Sequence, residues 1–406
     1  MSRPRVSRDV LEKKRAERSV RFLVTGGTGF LGSHVAAELL RRGCRVTLLA
    51  RPTNGLTAEG RVRRLLDWFG LSDEARQGIR VVEGDITRPG MGVEPAVFRE
   101  LAGETDEIIH CASNTSFSER KRGEVEAVNA DGLTHVLAFA GASDAYFFHH
   151  VSTAFVAGKV SGPCPEAPVT AREFHNVYEE TKWRGETLVT EACGEAGLGL
   201  AIYRPSIVYG DSRTGRSLLF NAVYYPVRAA VFLKELYEKD LRERGGKRAA
   251  EAGVRIEPDG TMHLPLRVKT SGRGGFNLVP VDFFIRAFLA LLEEAPSGGV
   301  FHIVSGRTKT VEEIADYTSR FFRLSGIRVC APEEFEADPA NPLEELYDHS
   351  VEAYGAYMKD TRVFETTVSG PILERRGIAC PEFDYDVFSR CMDYAVRTGW
   401  GSRLFT

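Results

Sequence analysis

The stretch Val20-Arg21-Phe22-Leu23-Val24-Thr25-Gly26-Gly27-Thr28-Gly29-Phe30-Leu31-Gly32 decides the fold of this chain. Its first six residues predict a short buried strand, and residues 33–42 carry the periodicity of a helix. A glycine-rich turn between a strand and a helix lets backbone N–H groups and the helix dipole meet a pyrophosphate. We therefore expect a dinucleotide to bind along this turn, at Gly26, Thr28, Gly29, Phe30, Leu31 and Gly32.

Four more short apolar runs follow and alternate with helical patterns. They predict strands at residues 45–50, 79–84, 107–110 and 146–151. Alternation of this kind is typical of an α/β protein with a parallel sheet. The predicted fold class is α/β, with a Rossmann-type doubly wound parallel sheet and a smaller, mostly helical substrate-binding region.

The residues at the ends of these strands indicate which dinucleotide is bound. Arg51 follows the second strand, where an NAD site would carry an acidic residue for the ribose 2′-hydroxyl. Because a cation suits a 2′-phosphate, we expect NADPH (NADP as cofactor), the alternative being an Arg51 that merely faces solvent. Asp85 and Ile86 are expected at the adenine. The small residues Cys111, Ala112 and Ser113 leave room for ribose and pyrophosphate, and the helix with Asn129 follows.

Tyr178 and Lys182 lie four residues apart and therefore share one face of a helix. An ammonium beside a phenol favours the phenolate, so we expect Lys182 to lower the pKa of Tyr178. Such a tyrosine exchanges a proton with a substrate oxygen near neutral pH. The alternative is an ordinary exposed pair on a surface helix.

Composition narrows the function class. The chain has 406 residues, a net charge of −3 and seven scattered cysteines without a Cys-x-x-Cys pair. We therefore expect no nucleic-acid partner, no disulfide framework and no metal site, and we interpret the His149-His150 pair as packed. The chain lacks both an apolar N-terminal run and a stretch near about 18 apolar residues, which predicts a cytoplasmic protein without a secretory signal or membrane span.

The glycine turn, the hydroxyl residues after the fifth strand and the Tyr178/Lys182 pair together resemble the extended short-chain dehydrogenase/reductase family. In that family a catalytic hydroxyl residue lies five residues before a glycine and about 25 before the tyrosine. Thr153 satisfies both counts, and its neighbour Ser152 is the alternative. The resemblance implies a Thr153–Tyr178–Lys182 triad in which Lys182 also holds the nicotinamide ribose. It implies a nicotinamide site completed by Val151, Pro205, Ser206, Ile207 and Val208.

Within that family, residues 150–156 and 203–208 look most like fatty acyl-CoA reductases and the thioester reductase domains of carboxylic acid reductases and peptide synthetases. These share the male-sterility-type NAD-binding domain, and the segments 354–358, 362–367 and 383–385 resemble their C-terminal region more loosely. The resemblance implies NADPH-dependent reduction of an acyl thioester, carried by CoA or a carrier protein, to an aldehyde or further to an alcohol. A homodimer is common in the family.

The sequence predicts how the chain divides into a tail, a cofactor domain and a substrate-binding region. Residues 1–19 form a basic N-terminal tail, interpreted as a solvated terminus, with a weak membrane-surface contact as the alternative. We assign residues 20–205, with 276–305 returning, to an NADP-binding Rossmann domain. Residues 206–275 and 306–406 form the substrate-binding region. The apolar stretch 215–237 is either an acyl channel or membrane-facing helix, or ordinary core packing.

Other functions remain open at this stage. The same triad serves sugar-nucleotide epimerases, dehydratases and hydroxysteroid-type dehydrogenases, and the apolar 215–237 stretch and the cationic Arg51 count against these. An NADP-binding regulator without turnover, or a protein that acts at a membrane surface through its basic tail, are the non-enzymatic alternatives.

Overall fold

The first half of the chain alternates strands and helices. In a computed structural model, which describes residues 20–53, 55–170, 173–270 and 274–405, the predicted strands all form, with bounds that agree to within one residue. The elements are β1 Arg21–Thr25, α1 Phe30–Arg41, β2 Arg45–Ala50, α2 Ala58–Trp68, α3 Asp73–Arg76, β3 Ile79–Glu83, α4 Pro95–Glu104, β4 Glu107–His110, α5 Arg122–Glu126, α6 Gly132–Ala142, β5 Phe147–Val151, β6 Gly162–Cys164, α7 Val177–Ala196, β7 Gly199–Pro205 and β8 Ile207–Tyr209. A π-helical segment, Ala127–Asp131, joins α5 to α6.

The remaining elements are α8 Tyr224–Glu243, α9 Lys247–Glu251, β9 Arg255–Ile256, β10 Met262–Lys269, β11 Gly275–Pro280, α10 Val281–Glu294, β12 Gly299–Ile303, β13 Thr308–Thr310, α11 Val311–Phe322, β14 Leu324–Cys330, α12 Pro332–Ala337, α13 Pro342–Val351, α14 Gly355–Met358, β15 Arg362–Phe364, α15 Ser369–Arg375 and α16 Tyr385–Arg397. Helix α11 begins with a capping box, because Thr310 and Glu313 bond reciprocally at its first turn.

A parallel sheet of seven strands organises the described residues. Its order is β12-β7-β5-β4-β1-β2-β3, and every neighbouring pair is parallel. Apolar residues of α1 and α10 cover one face, and those of α6 and α7 cover the other. The predicted doubly wound α/β fold is confirmed. The strand order reverses between β1 and β4, and ligands bind beside the carboxyl ends of the strands at such a point.

Residues 276–305 return to the sheet in two ways. Helix α10 packs on one face, and β12 extends the edge beside β7. Strand β11 joins a separate three-stranded sheet with β8 and β13. A further sheet, β14-β10-β9, lies within the region that the sequence predicts as mostly helical. The 234–275 insert supplies part of α8 and all of α9, β9 and β10.

The apolar stretch 215–237 divides into two parts. Within α8, Val227, Ala230 and Leu233 are buried in a hydrophobic cluster, which favours core packing for this part. Leu218 and Leu219 precede the helix and line a cavity beside the glycine turn. Among the described helices, none is long and apolar enough to cross a bilayer. The basic tail 1–19 lies outside the described residues.

A buried ion pair joins three elements at the carboxyl end of the sheet. Arg204 of β7 donates from Nε and Nη2 to the two carboxylate oxygens of Glu186 on α7, at 2.9 and 2.6 Å. The side chain of Ser152, which follows β5, donates to the same carboxylate at 2.6 Å. With Arg204 only 1% exposed, this contact fixes α7 against both strands.

Glu186→Ala is expected to lower the free energy of unfolding by about 3–5 kcal/mol, because it leaves the Arg204 guanidinium buried without its counter-ion. Urea unfolding followed by circular dichroism measures the loss. The matched control is Glu100→Ala, which breaks an exposed ion pair with Arg80 and is expected to cost about 1 kcal/mol or less. Equal losses in the two variants would contradict the structural role of the buried pair.

Candidate active site

A cavity of about 450 Å³ opens beside the carboxyl ends of β1, β4 and β5. Most of the residues predicted for the site line it. They are Gly26, Thr28, Gly29, Phe30, Leu31, Gly32, Cys111, Ser113, Val151, Thr153, Tyr178, Lys182, Pro205, Ser206, Ile207 and Val208. The fold therefore brings the glycine turn and the triad, which are 121 or more residues apart along the chain, to a single cavity.

The glycine turn has no room for side chains. Gly26 has φ +71°, and a Cβ there would lie 2.4 Å from the Ala112 nitrogen. A Cβ on Gly32 would lie 2.3 Å from the carbonyl oxygen of Gly26. Helix α1 begins after Gly29 without a side-chain cap, so its first N–H groups face the cavity end of the turn. These features fit a dinucleotide pyrophosphate.

Five predicted cofactor residues lie outside the cavity lining: Arg51, Asp85, Ile86, Ala112 and Asn129. The side chain of Arg51 is 61% exposed and lies 3.9 Å from the Asp85 carboxylate. That carboxylate accepts bonds from the Thr87 N–H and hydroxyl, at 3.0 and 2.8 Å, and these hold its pKa below the usual value although burial acts to raise it. Contact with a cofactor therefore stays a prediction for these residues.

Arg61 is a cation that the sequence interpretation did not select. Its Nη1 donates to the Arg51 carbonyl at 2.6 Å, which holds the Arg61 guanidinium beside the backbone that follows β2. Burial and the charge of Arg51 both lower the Arg61 pKa. The sequence does place Arg61 one turn into the helix that follows Arg51, which is close enough for the two residues to share a phosphate site.

Asn129 links two segments of the site through hydrogen bonds of its side chain. Its side-chain amide donates to the Thr181 hydroxyl and the Asn114 carbonyl, both at 3.0 Å, and its oxygen accepts from Asn114 N–H at 2.7 Å. It is buried within the π-helical segment. Asn129 thus joins the loop after β4 to the helix that carries Tyr178 and Lys182.

Thr153 and Ser152 differ in their hydrogen bonds. The Ser152 hydroxyl is committed to Glu186, whereas Thr153 lines the cavity with Tyr178 and its hydroxyl acts to lower the Tyr178 pKa. Thr153 also lies 3.4 Å from the Pro205 carbonyl and caps the short 3₁₀ turn Ala154–Ala157. This arrangement favours Thr153 over Ser152 as the residue that meets a substrate oxygen.

The electrostatics of the triad differ from the sequence expectation. Burial raises the pKa of Tyr178 to about 12, while the Thr153 hydrogen bond acts in the opposite direction. Lys182 donates from Nζ to the Val151 carbonyl at 2.7 Å, and burial lowers its pKa to about 8 against the charge of Glu186. The predicted lowering of the Tyr178 pKa is therefore wrong, because desolvation of the phenolate raises it, the charge of Glu179 adds to the rise, and the Thr153 hydrogen bond offsets only part of it.

The histidine pair belongs to the core of the sheet. His149 contacts the Glu107 carboxylate at 2.7 Å and the Tyr203 hydroxyl at 2.9 Å. His150 stacks on His110 with ring centroids 5.5 Å apart, and burial lowers the pKa of both. Within the described ranges, no three His, Cys, Asp or Glu residues form a group suited to a metal ion.

Aromatic side chains also line the cavity. Phe117 stacks on Tyr357 and contacts Tyr354 and Tyr178, with ring centroids 5.0 to 5.8 Å apart. The edge of Phe155 meets Tyr357 at 4.9 Å. Sequence reasoning did not assign these rings to the site, although the 354–358 segment resembles reductase tails.

Comparison with known proteins places the chain in a family. The model of the male sterility protein family, an NAD-binding domain, matches residues 24–288. Isonitrile lipopeptide synthase of Streptomyces coeruleorubidus is 31% identical over 93% of this chain. A linear gramicidin synthase of Brevibacillus parabrevis is 25% identical over 93% of this chain. The chain spans 24% and 7% of the lengths of these two relatives.

Solved structures support the same fold. The terminal R domain of the myxalamid biosynthetic pathway matches with a TM-score of 0.73 and 24% identity, over 94% of this chain and 91% of that one. An archaeal thiolation-reductase di-domain matches with a TM-score of 0.70 and 19% identity, over 94% of this chain and 76% of that one. UDP-glucuronic acid 4-epimerase of Bacillus cereus, in complex with NAD, matches with a TM-score of 0.63 and 16% identity, over 94% of this chain and 98% of that one. The family match covers more than half of the chain, which therefore belongs to the male sterility protein family, an NAD-binding family, and has the fold of the extended short-chain dehydrogenases/reductases.

Proposed function

We propose that this chain reduces fatty acyl thioesters with NADPH to the aldehyde or, with a second NADPH, to the alcohol. The observation that carries the proposal is one cavity whose lining suits both reactants. The glycine turn and the Thr153–Tyr178–Lys182 triad line it together with aromatic and apolar side chains, among them Phe117, Tyr354 and Leu218. An apolar and aromatic wall suits an acyl group better than it suits a sugar nucleotide.

The relatives support a thioester as the substrate class. Peptide and lipopeptide synthases and a thiolation-reductase di-domain share this fold, so a carrier-bound thioester is our first choice and acyl-CoA our second. We assign residues 20–205 and 276–305 to cofactor binding, and 206–275 and 306–406 to substrate binding. A cytoplasmic location stays a prediction.

The chain's own residues set up the reaction at the carbonyl oxygen. A bound reduced nicotinamide supplies a hydride to the carbonyl carbon. Thr153 donates a hydrogen bond to the oxygen as negative charge develops there, and Tyr178 transfers its phenolic proton to it. The resulting hemithioacetal loses its thiol and leaves the aldehyde. Because its pKa is about 12, Tyr178 holds this proton throughout the neutral range.

Lys182 and the two arginines beyond β2 hold the dinucleotide in this proposal. Lys182 faces the cavity next to Val151, where the resemblance puts the nicotinamide ribose. Arg51 and Arg61 form a cationic pair suited to a 2′-phosphate, because phosphate oxygens accept charge-assisted bonds from guanidinium groups.

Tyr178→Phe is expected to lower kcat for NADPH-dependent thioester reduction by about 10²–10⁴, since it removes the proton donor. NADPH binding, measured by fluorescence titration, is expected to stay within about twofold because the ring remains. Tyr317→Phe, which alters a tyrosine that does not line the cavity, is the matched control. Full turnover by Tyr178→Phe would refute its role.

Arg51→Ala is expected to lower kcat/KM for NADPH by about 10-fold or more, because a charge-assisted bond to the 2′-phosphate is lost. The value for NADH is expected to change by less than about twofold. Arg80→Ala, a partly exposed arginine of β3, serves as the control. Equal effects on both cofactors would contradict a 2′-phosphate site.

The pH dependence of kcat/KM is expected to reflect Lys182. Because its pKa is about 8, the ammonium is present below that pH and is lost above it. Activity is therefore expected to fall as the pH rises through about 8. Lys182→Arg keeps its charge to much higher pH and is expected to lose this fall, whatever its overall rate. If kcat/KM of Lys182→Arg still falls as the pH rises through about 8, the fall belongs to the titration of another group.

A further inference from the structure

The segment that carries Tyr357 connects the aromatic lining of the cavity to helix α7, which carries the proposed proton donor Tyr178. The Tyr357 ring forms part of the cavity wall against Phe117. Its hydroxyl points away from the cavity into two hydrogen bonds. It donates to the Glu179 carboxylate at 3.0 Å and accepts from the side-chain amide of Asn176 at 2.9 Å.

Both partners of Tyr357 belong to the first turn of α7. Asn176 caps the helix, because its side-chain oxygen accepts from the Glu179 N–H at 3.0 Å. Glu179 directly follows Tyr178 and is 0% exposed. Its carboxylate also accepts from the His175 N–H at 2.9 Å and faces the Arg362 guanidinium at 3.5 Å. The hydroxyl of Tyr357 therefore holds the turn that orients Tyr178.

Arg362 extends the same connection to the loop of Thr153. It donates to the carbonyl of Gly158, the residue that ends the turn begun by Thr153, at 3.0 Å. Its guanidinium lies over the Phe155 ring at 4.9 Å and pairs with Asp360 at 2.8 Å. Residues 357–362 thus contact the segments that hold Tyr178 and Thr153, the two residues proposed to meet the substrate oxygen.

We propose that Tyr357 is a positioning residue, which fixes the Tyr178 turn through Glu179 and Asn176 while its ring forms a wall of the acyl site. Its kinetic consequences rest on the proposed thioester reductase function, but its structural consequence does not. Glu179 is buried, so the loss of one hydrogen-bond donor leaves a carboxylate oxygen poorly satisfied and favours a shift of the turn. A shift of about 1 Å at a reacting group costs up to about 10²-fold in rate.

Tyr357→Phe tests the proposal because it removes the hydroxyl and keeps the ring. Hydrogen exchange of the amides in residues 177–181 is expected to accelerate about 10-fold, measured by mass spectrometry on the full chain. Turnover of an acyl-CoA is expected to fall about 10-fold in kcat, with KM changed by less than about twofold. The matched control is Tyr347→Phe, a buried tyrosine of α13 that does not line this cavity.

Each other outcome has a definite meaning. Unchanged exchange in residues 177–181 would overturn the proposal, even with a reduced kcat. An equal rise in the hydrogen-exchange rate of residues 21–25 in β1 would also overturn the proposal, because Tyr357 would then act on overall stability alone. A wild-type chain that reduces no thioester would refute the proposed function, and the exchange measurement would still decide the role of Tyr357.

Discussion

The contact on which the site depends is the buried pair of Arg204 and Glu186. A carboxylate and a guanidinium are stable in an interior only when each satisfies the other. Here Glu186 lies one turn beyond Lys182, Arg204 directly precedes Pro205, and Ser152 directly precedes Thr153. One ion pair therefore sets the position of α7 relative to the ends of β5 and β7 that face the cavity.

Burial, more than neighbouring charge, sets the chemistry of the triad. Tyr178 is partly buried and Lys182 is buried, and desolvation shifts the pKa of each in the direction that favours the neutral form. A tyrosine with a raised pKa is a donor that keeps its proton until an oxygen gains negative charge. A lysine with a lowered pKa is held close to the point where it changes charge. This combination suits reduction of a carbonyl, in which the tyrosine must begin protonated.

Local patterns in the sequence were sufficient for the sheet and the glycine turn. Strands such as β1 and β2 are mostly apolar and are followed by turn residues, and a parallel sheet buries such strands on both faces. The β10–β14 pairing was not predictable, since its strands lie 62 residues apart at Met262 and Leu324. The direction of the Tyr178 shift was missed for a related reason. Burial is a property of the whole fold, and spacing along one helix does not report it. Tyr357 contacts Glu179 across 178 residues, a pairing that no local pattern predicts.

The most direct test of the account is NADPH consumption by the purified chain, supplied with acyl-CoAs and with an acylated carrier protein, with NADH in parallel and products identified by mass spectrometry. The account predicts oxidation of NADPH that depends on the thioester, faster than that of NADH, with aldehyde or alcohol as product. Absence of thioester-dependent oxidation with either cofactor, on every acyl donor, would contradict it.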